Sequence, residues 1–344
     1  MSAAPETTAG RSVPDVLAWS RALLDPALRA AVGELSGEMR RIAEYHFGWR
    51  DELDRPASAP AGKALRPTLA LLSAEAVGAD AADALPAAVA IELAHNFSLL
   101  HDDVMDGDVT RRHRPTAWTL FGANAAILAG DALLACATEG LAADEVGGAA
   151  VRTFGRAVRE LVEGQCADVS FEERTDVTLA ECQAMAAKKT GALIGAACAL
   201  GAIFGGGDPA RVTHLRRFGD RLGLAFQIAD DRLGIWGDPA VTGKAVHADL
   251  VRRKKSLPVV AALNAETPAS AALAELYHGS EPLTPDDAAR AAVLVEQAGG
   301  RAWAVARTGE LRAEALAELA EVGAPPAPLH ELTLLADRLV HRDH

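Results

Sequence analysis

Sustained alternation of apolar and polar residues, the mark of a half-buried strand, is missing from this chain, and β-branched clusters are few. That excludes a β-rich architecture. Cysteine is scarce as well: Cys136, Cys166, Cys182 and Cys198 lie far apart with no CxxC pair. A zinc site or a disulfide framework is therefore not expected, and a reducing, cytoplasmic compartment fits. No excess of positive charge exists, the formal net charge being −13, so a nucleic-acid partner is not expected. The N-terminal MSAAPETTAGRSVPD has no basic stretch leading into an apolar one, so no signal peptide is expected. One stretch, TGALIGAACALGAIFGGG (190–207), is uncharged over nearly a membrane thickness. Its Ala and Gly content gives it little large apolar surface, and it is read as a buried core helix, not a transmembrane span.

What is abundant is helical spacing. Half of the residues are hydrophobic, and they recur one helical turn apart in segments such as VLAWSRALLDPALRAAVGEL and LRAEALAELAEV. Breakers separate these segments, among them DRPASAPAG, GDVTRRHRPT, FGGGDPA, HGSEPLTPDD and GAPPAP. No repeat and no linker divides the composition. The expectation is one all-α domain over residues 18–344, preceded by a disordered residue 1–17 segment.

The segment most charged with chemistry is IELAHNFSLLHDDVMDGDVTRRHRPT (91–116). On a helix, Asp102 and Asp106 fall one turn apart with Asp103 beside them, and His95 lies about 10 Å back along the axis from Asp102. Like charges at that spacing repel, so they point to a divalent cation such as Mg²⁺, which takes carboxylate oxygens and shares its shell with water and phosphate. A basic turn follows at once, with Arg111, Arg112 and Arg114. A second acid pair stands at Asp230 and Asp231, with Gln227 one turn before. The lysines point the same way. Arginine is the default cation, 28 residues against six lysines, and all six fall in GKALRP, KKTG and TGKAVHADLVRRKKSLP. A compact ammonium suits phosphate. Acids for a metal, with bases for what the metal holds, describe a polyphosphate site.

In this order GKALRP, HNFSLLHDDVMD, RRHRPT, LAGDALL, KKTG, FQIADD and TGK with DLVRRKKSLP resemble the trans-isoprenyl diphosphate synthases of the polyprenyl synthetase family, from about residue 18 onward. The resemblance implies an all-α, isoprenoid synthase-type helical bundle around a deep central cavity, working as a homodimer. It implies three Mg²⁺ ions held by Asp102 and Asp106, with Asp103 supporting, and by Asp230 with Asp231. They would grip an allylic diphosphate together with Arg111, Lys189, Lys244 and Lys254. Isopentenyl diphosphate would be held by Lys63, Arg66, His95 and Arg112, with Thr190 and Gln227 near the reacting carbons. Phe97, five residues before the first aspartate, would help set the tunnel floor. That pattern resembles geranylgeranyl diphosphate synthases, with farnesyl diphosphate synthases as the nearest rival.

Two other readings stay open at this point: a class I terpene cyclase, disfavoured by an aromatic content of only 4 %, and a non-catalytic subunit of a heteromeric synthase. The pattern also departs from the family at Ala64, His113, His247 and Gly234. Only the last falls in a metal segment, AFQIADDRLGIWGD (225–238), where a third acid would follow Asp230 and Asp231. On the sequence alone Gly234 removes an outer-shell acid. Gly234→Asp is expected to lower the Mg²⁺ concentration needed for turnover, and an unchanged requirement would contradict that.

Overall fold

Helix starts along the chain are written in local chemistry. Ser12 accepts from the Asp15 N–H ahead of α1 (Val13–Gly33), with Pro14 in its first turn. Further on, Thr178, Thr267 and Thr284 each form a reciprocal capping box, with Glu181, Ser270 and Asp287 respectively. The computed structural model describes residues 10–59, 62, 64–143, 145–237, 247–279 and 283–340. Lys63 and Lys244 lie outside the described residues.

After α1 come α2 (Gly37–His46), α3 (Leu65–Ala76), a 3₁₀ turn, and α4 (Leu85–Met105). A minimal hairpin follows, β1 (Thr110–Arg111) paired antiparallel with β2 (Arg114–Pro115). Then come α5 (Ala117–Phe121), α6 (Ala123–Ala142), α7 (Gly147–Phe171) and α8 (Leu179–Ala186). A π-helical turn, Ala187–Gly191, leads into α9 (Ala192–Phe204), followed by α10 (Pro209–Trp236). The remaining helices are α11 (Ala248–Val251), α12 (Leu257–Leu263), α13 (Pro268–Tyr277), α14 (Pro285–Gln297), α15 (Gly300–Ala320) and α16 (Pro326–Val340). The all-α expectation holds.

Contacts divide the described chain into two compact units. The first comprises described residues of Met1–Gly155, Ala196–Arg216 and Leu319–Leu335. Here α4 packs against α1, α3 and α6, and Leu69, Leu71, Leu72, Ile91, Leu93, Leu100 and Leu133 have essentially no exposed surface. The second comprises described residues of Arg156–Gly195, Arg217–Glu318 and Ala336–His344. In it α12 packs against α8, α13 and α14, around Ile235, Leu250, Val259, Leu273, Tyr277 and Val295. The uncharged stretch is buried over 190–202, with Leu193, Ile194, Ala196, Ala197, Cys198 and Leu200 all inside, and emerges over 203–207.

Small residues decide how closely these helices approach. Gly201 of α9 faces the backbone of α3, and a Cβ there would lie 2.8 Å from the Ala70 carbonyl carbon and 3.0 Å from its Cα. A helix backbone cannot yield as a flexible side chain does. Gly201→Ala is therefore expected to destabilise the protein by roughly 1–3 kcal/mol, measured by urea unfolding. A neutral or stabilising change would mean that this contact is not close.

Candidate active site

In the first unit α4 carries a graded series of polar groups along one helix. Near its middle Glu92, at 5 % exposure, and Asn96 are buried, with the Asn96 amide donating to the Glu92 carbonyl oxygen at 2.8 Å. His95 follows, its Nε2 lying 3.3 Å from Arg66 Nη1. Burial, reinforced by Arg66 and Arg112, holds His95 well below the usual imidazole range. The neutral ring is favoured there, and because a guanidinium can only donate, His95 Nε2 accepts in the contact with Arg66. Burial lowers the Arg112 guanidinium too, with Glu92 opposing, and raises the Glu92 carboxyl against Arg66 and Arg112. Arg66, His95 and Arg112 are thus brought together around one buried acid, an arrangement ready for an anion with a fixed outline.

The helix ends in its acids. Asp106 is not inside α4 but caps it, donating its N–H to the Asp102 carbonyl oxygen. Asp102 is partly exposed and Asp106 exposed, whereas Asp103 is 1 % exposed. Asp103 Oδ1 receives Arg111 Nε at 2.7 Å and lies 2.6 Å from Arg111 Nη2. Burial raises the Asp103 carboxyl and Arg111 pulls it back. Arg111 reaches this position because it sits on the hairpin, whose two-residue turn, Arg112–His113, holds both φ angles positive, at 51° and 62°. Glycine or asparagine would be the natural choice there, so the arginine is kept at a conformational cost. Arg114 anchors the hairpin, donating to the Tyr45 carbonyl oxygen at 3.0 Å and the Arg50 carbonyl oxygen at 2.8 Å.

Phe97 is 7 % exposed, with its ring edge-on to His101 at 4.7 Å. His46 was not marked by the sequence. It is partly buried near Arg111 and Arg112, and its enclosed Nε2 has no protein partner. Burial, then Arg112 and Arg111, push its imidazole down to about 3.

The second unit brings the other set together. Close packing of Gly191 and Gly223, where a Cβ on Gly223 would lie 2.6 Å from the Gly191 Cα, seats the π-helical turn on α10. π-turns recur at functional positions, and this one presents Lys189 and Thr190. The Thr190 hydroxyl donates to Gln227 Oε1 at 2.6 Å, and Gln227 Nε2 donates to Asp231 Oδ1 at 2.8 Å. Asp231 Oδ2 accepts the Leu257 N–H at 2.9 Å, and Lys254 Nζ lies 4.0 Å from Oδ1. Asp230, the adjacent acid, is only partly buried.

The sequence assigned both acids to metal. The structure turns Asp231 into the protein, with both oxygens occupied by its own donors. Burial pushes the Asp231 carboxyl up to about 6, against Lys254, the Leu257 N–H and Gln227. Burial works against the Lys254 ammonium, but Asp231, Asp249, Asp168 and Asp230 outweigh it and hold Lys254 above the usual lysine value. Asp168 was missed by the sequence reading, being one acid among several in EGQCADVSFEER. Its Oδ2 takes Lys189 Nζ at 2.6 Å. One turn earlier on α7, Gln165 is buried at 5 % exposure with neither end of its amide bonded to protein, as expected where solvent or a ligand completes the shell.

These donors fit a hard divalent cation, being carboxylate oxygens with ammonium and guanidinium groups nearby. Among the described residues no three acids or histidines are gathered closely enough to enclose an ion by themselves. That suits Mg²⁺, which is usually held by one or two carboxylates and completed by phosphate and water.

Comparison with known proteins agrees with this chemistry. The polyprenyl synthetase family model matches residues 51–295. The (2E,6E)-farnesyl diphosphate synthase of Mycobacterium tuberculosis is 45 % identical over 337 residues, covering 96 % of this chain and 94 % of that protein. The geranylgeranyl diphosphate synthase of the same organism is 46 % identical over 288 residues, covering 83 % and 82 %. Among solved structures, a polyprenyl synthetase from Streptomyces coelicolor A3(2) superposes with a TM-score of 0.92 at 46 % identity, covering 96 % of this chain and all of that one.

His46 offers a pH test of the first unit's electrostatics. Its pKa is depressed in the folded state, so the stability it contributes is present above its unfolded value, near 6.5, and is lost as pH falls toward 3. Relative to wild type, His46→Gln should show a shallower acid-side loss by about one proton, roughly 1.4 kcal/mol per pH unit. Glu92 titrates in both proteins and cancels in the comparison. Parallel stability curves between pH 6.5 and 4 by urea unfolding would contradict the assignment.

Proposed function

The chain belongs to the polyprenyl synthetase family and is a chain-elongating prenyltransferase acting on isoprenoid diphosphates, and from that premise we propose that its product is geranylgeranyl diphosphate. Isopentenyl diphosphate is held by Arg66, His95 and Arg112, with Lys63. Mg²⁺, three ions in all, is assigned to Asp102 and Asp106 in the first unit and to Asp230 in the second; binding of allylic diphosphate oxygens is assigned to Arg111 in the first unit and to Lys189 and Lys254 in the second, with Lys244. Asp103 and Asp231 position Arg111 and Lys254 instead of binding metal. Thr190 and Gln227 lie near the reacting carbons.

The chemistry uses this charge economically. The allylic C–O bond breaks, leaving a carbocation and diphosphate; the isopentenyl double bond attacks the cation, a new C–C bond forms, and a proton leaves with the diphosphate. When bound, Mg²⁺ neutralises the charge developing on the leaving diphosphate. The chain's own part is to aim pre-ordered cations at that group. Arg111 is locked on Asp103, Lys189 on Asp168 and Lys254 near Asp231, so little reorganisation accompanies bond cleavage. His95 orients its diphosphate through a hydrogen bond. An enzyme of this kind works as a cytoplasmic homodimer, and exposed Ile127 and Leu128 on α6 give it an apolar face to cover.

The observation that carries the product assignment is Phe97. Five residues before Asp102, it stands about 7.5 Å down the helix axis, buried and backed by His101. Relatives of nearly equal identity carry farnesyl and geranylgeranyl names, so overall identity does not discriminate. The farnesyl reading draws support from the fuller coverage of that relative.

Mass spectrometry of the product made from isopentenyl diphosphate and each allylic starter, with Mg²⁺, tests the assignment. A main species of twenty carbons is expected; fifteen, or thirty and more, would overturn it. Phe97→Ala should lengthen the main product by at least one five-carbon unit, and an unchanged length would show that the floor lies elsewhere.

A further inference from the structure

Gly234 sits inside α10, where a glycine is destabilising relative to alanine. Its φ is not positive, so the backbone does not require glycine. Space does. A Cβ on Gly234 would overlap the Asp249 carboxylate, with Cγ at 2.7 Å and Oδ1 at 3.3 Å. The position of the missing acid is therefore already filled by a carboxylate from another segment.

Two contacts hold the backbone that carries this carboxylate beside α10. His247 Nδ1 lies 2.7 Å from the Ile235 carbonyl oxygen, tying the start of α11 to α10 one residue beyond Gly234. The Lys254 N–H donates to the Asp249 carbonyl oxygen at 2.9 Å, so Asp249 belongs to the same short turn as the lysine. Its charge also acts on that lysine, together with Asp231, Asp168 and Asp230.

We propose that Asp249 supplies, from α11, the third carboxylate that α10 lacks, and that Gly234 is the residue that admits it. The acid set of this segment is then Asp230, Asp231 and Asp249, and the position is exchanged, not lost. Asp249 is a positioning residue: it acts on the water shell of the cation held by Asp230 and on Lys254, not on the reacting carbons. This rests on the reading that Asp230 holds Mg²⁺. It also reverses the expectation drawn from the sequence for Gly234→Asp. A new carboxylate there would collide with Asp249 and set two like charges together, so cation binding should weaken.

The test is Mn²⁺ binding to the full-length protein with inorganic diphosphate, read by electron paramagnetic resonance, with circular dichroism verifying each fold. Asp249→Asn keeps the shape and removes the charge, and it should weaken Mn²⁺ binding about tenfold, as loss of an outer-shell partner does. Gly234→Asp should weaken it as well. The double variant Gly234→Asp with Asp249→Gly moves the carboxylate back onto α10 and should recover near wild-type affinity. Unchanged affinity in Asp249→Asn, or a double variant no better than Gly234→Asp alone, would overturn the proposal. Asp230→Ala separates the two levels. If it binds Mn²⁺ as wild type does, the reading of Asp230 fails and the inference with it. If only Asp230→Ala loses the ion, the inference alone fails.

Discussion

The carboxylate of Asp231 ties α10 to the segment that leads into α12. Burying an ionised acid is unfavourable unless donors meet it, and here they come from two segments: Gln227 one turn earlier on α10, and the entry to α12 with the Leu257 N–H and, at 4.0 Å, Lys254. Each is constrained in return. Because the Gln227 amide nitrogen is committed to Asp231, its oxygen faces the Thr190 hydroxyl. Leu257 opens α12, and its N–H is one of the donors that a helix start leaves without an intrahelical partner; the acid satisfies it and meets the positive end of the helix. Lys254 is drawn to the same place by charge.

The first unit solves the same problem with Asp103 and Arg111. In both acid doublets, adjacent positions on a helix differ by about 100°, so the two acids cannot face the same way. Asp102 and Asp230 stay partly exposed, while Asp103 and Asp231 are buried at 1 % and 4 % exposure. On the proposed reading the doublet is a division of labour: an outward acid for a cation and an inward one that meets a basic side chain. Preordered in this way, the cations meet developing charge without first rearranging.

Much of this was legible in the sequence because it is local. Helical periodicity, capping threonines and the spacing of Asp102, Asp103 and Asp106 read directly onto α4 and its neighbours. Lysine scarcity singled out Lys189 and Lys254 because a rare residue placed repeatedly in a few segments carries information. What the sequence could not convey depends on contacts between distant segments. The inward turn of Asp231 requires Leu257 and Lys254; the role of Asp168 requires the π-turn that brings Lys189 to α7. His46 looked like any histidine at a helix end until partial burial near Arg111 and Arg112 defined it. Gly234 was read as a missing acid because its replacement stands fifteen positions further along the chain, on another helix.

The most direct measurement is anomalous diffraction from crystals grown with Mn²⁺ and an unreactive allylic diphosphate. Ions ligated by Asp102, Asp106 and Asp230 are expected, with Asp103 still on Arg111 and Asp231 still accepting the Leu257 N–H. An ion bonded to Asp103 or Asp231, or no ion at Asp230, would contradict the division of labour between the paired acids.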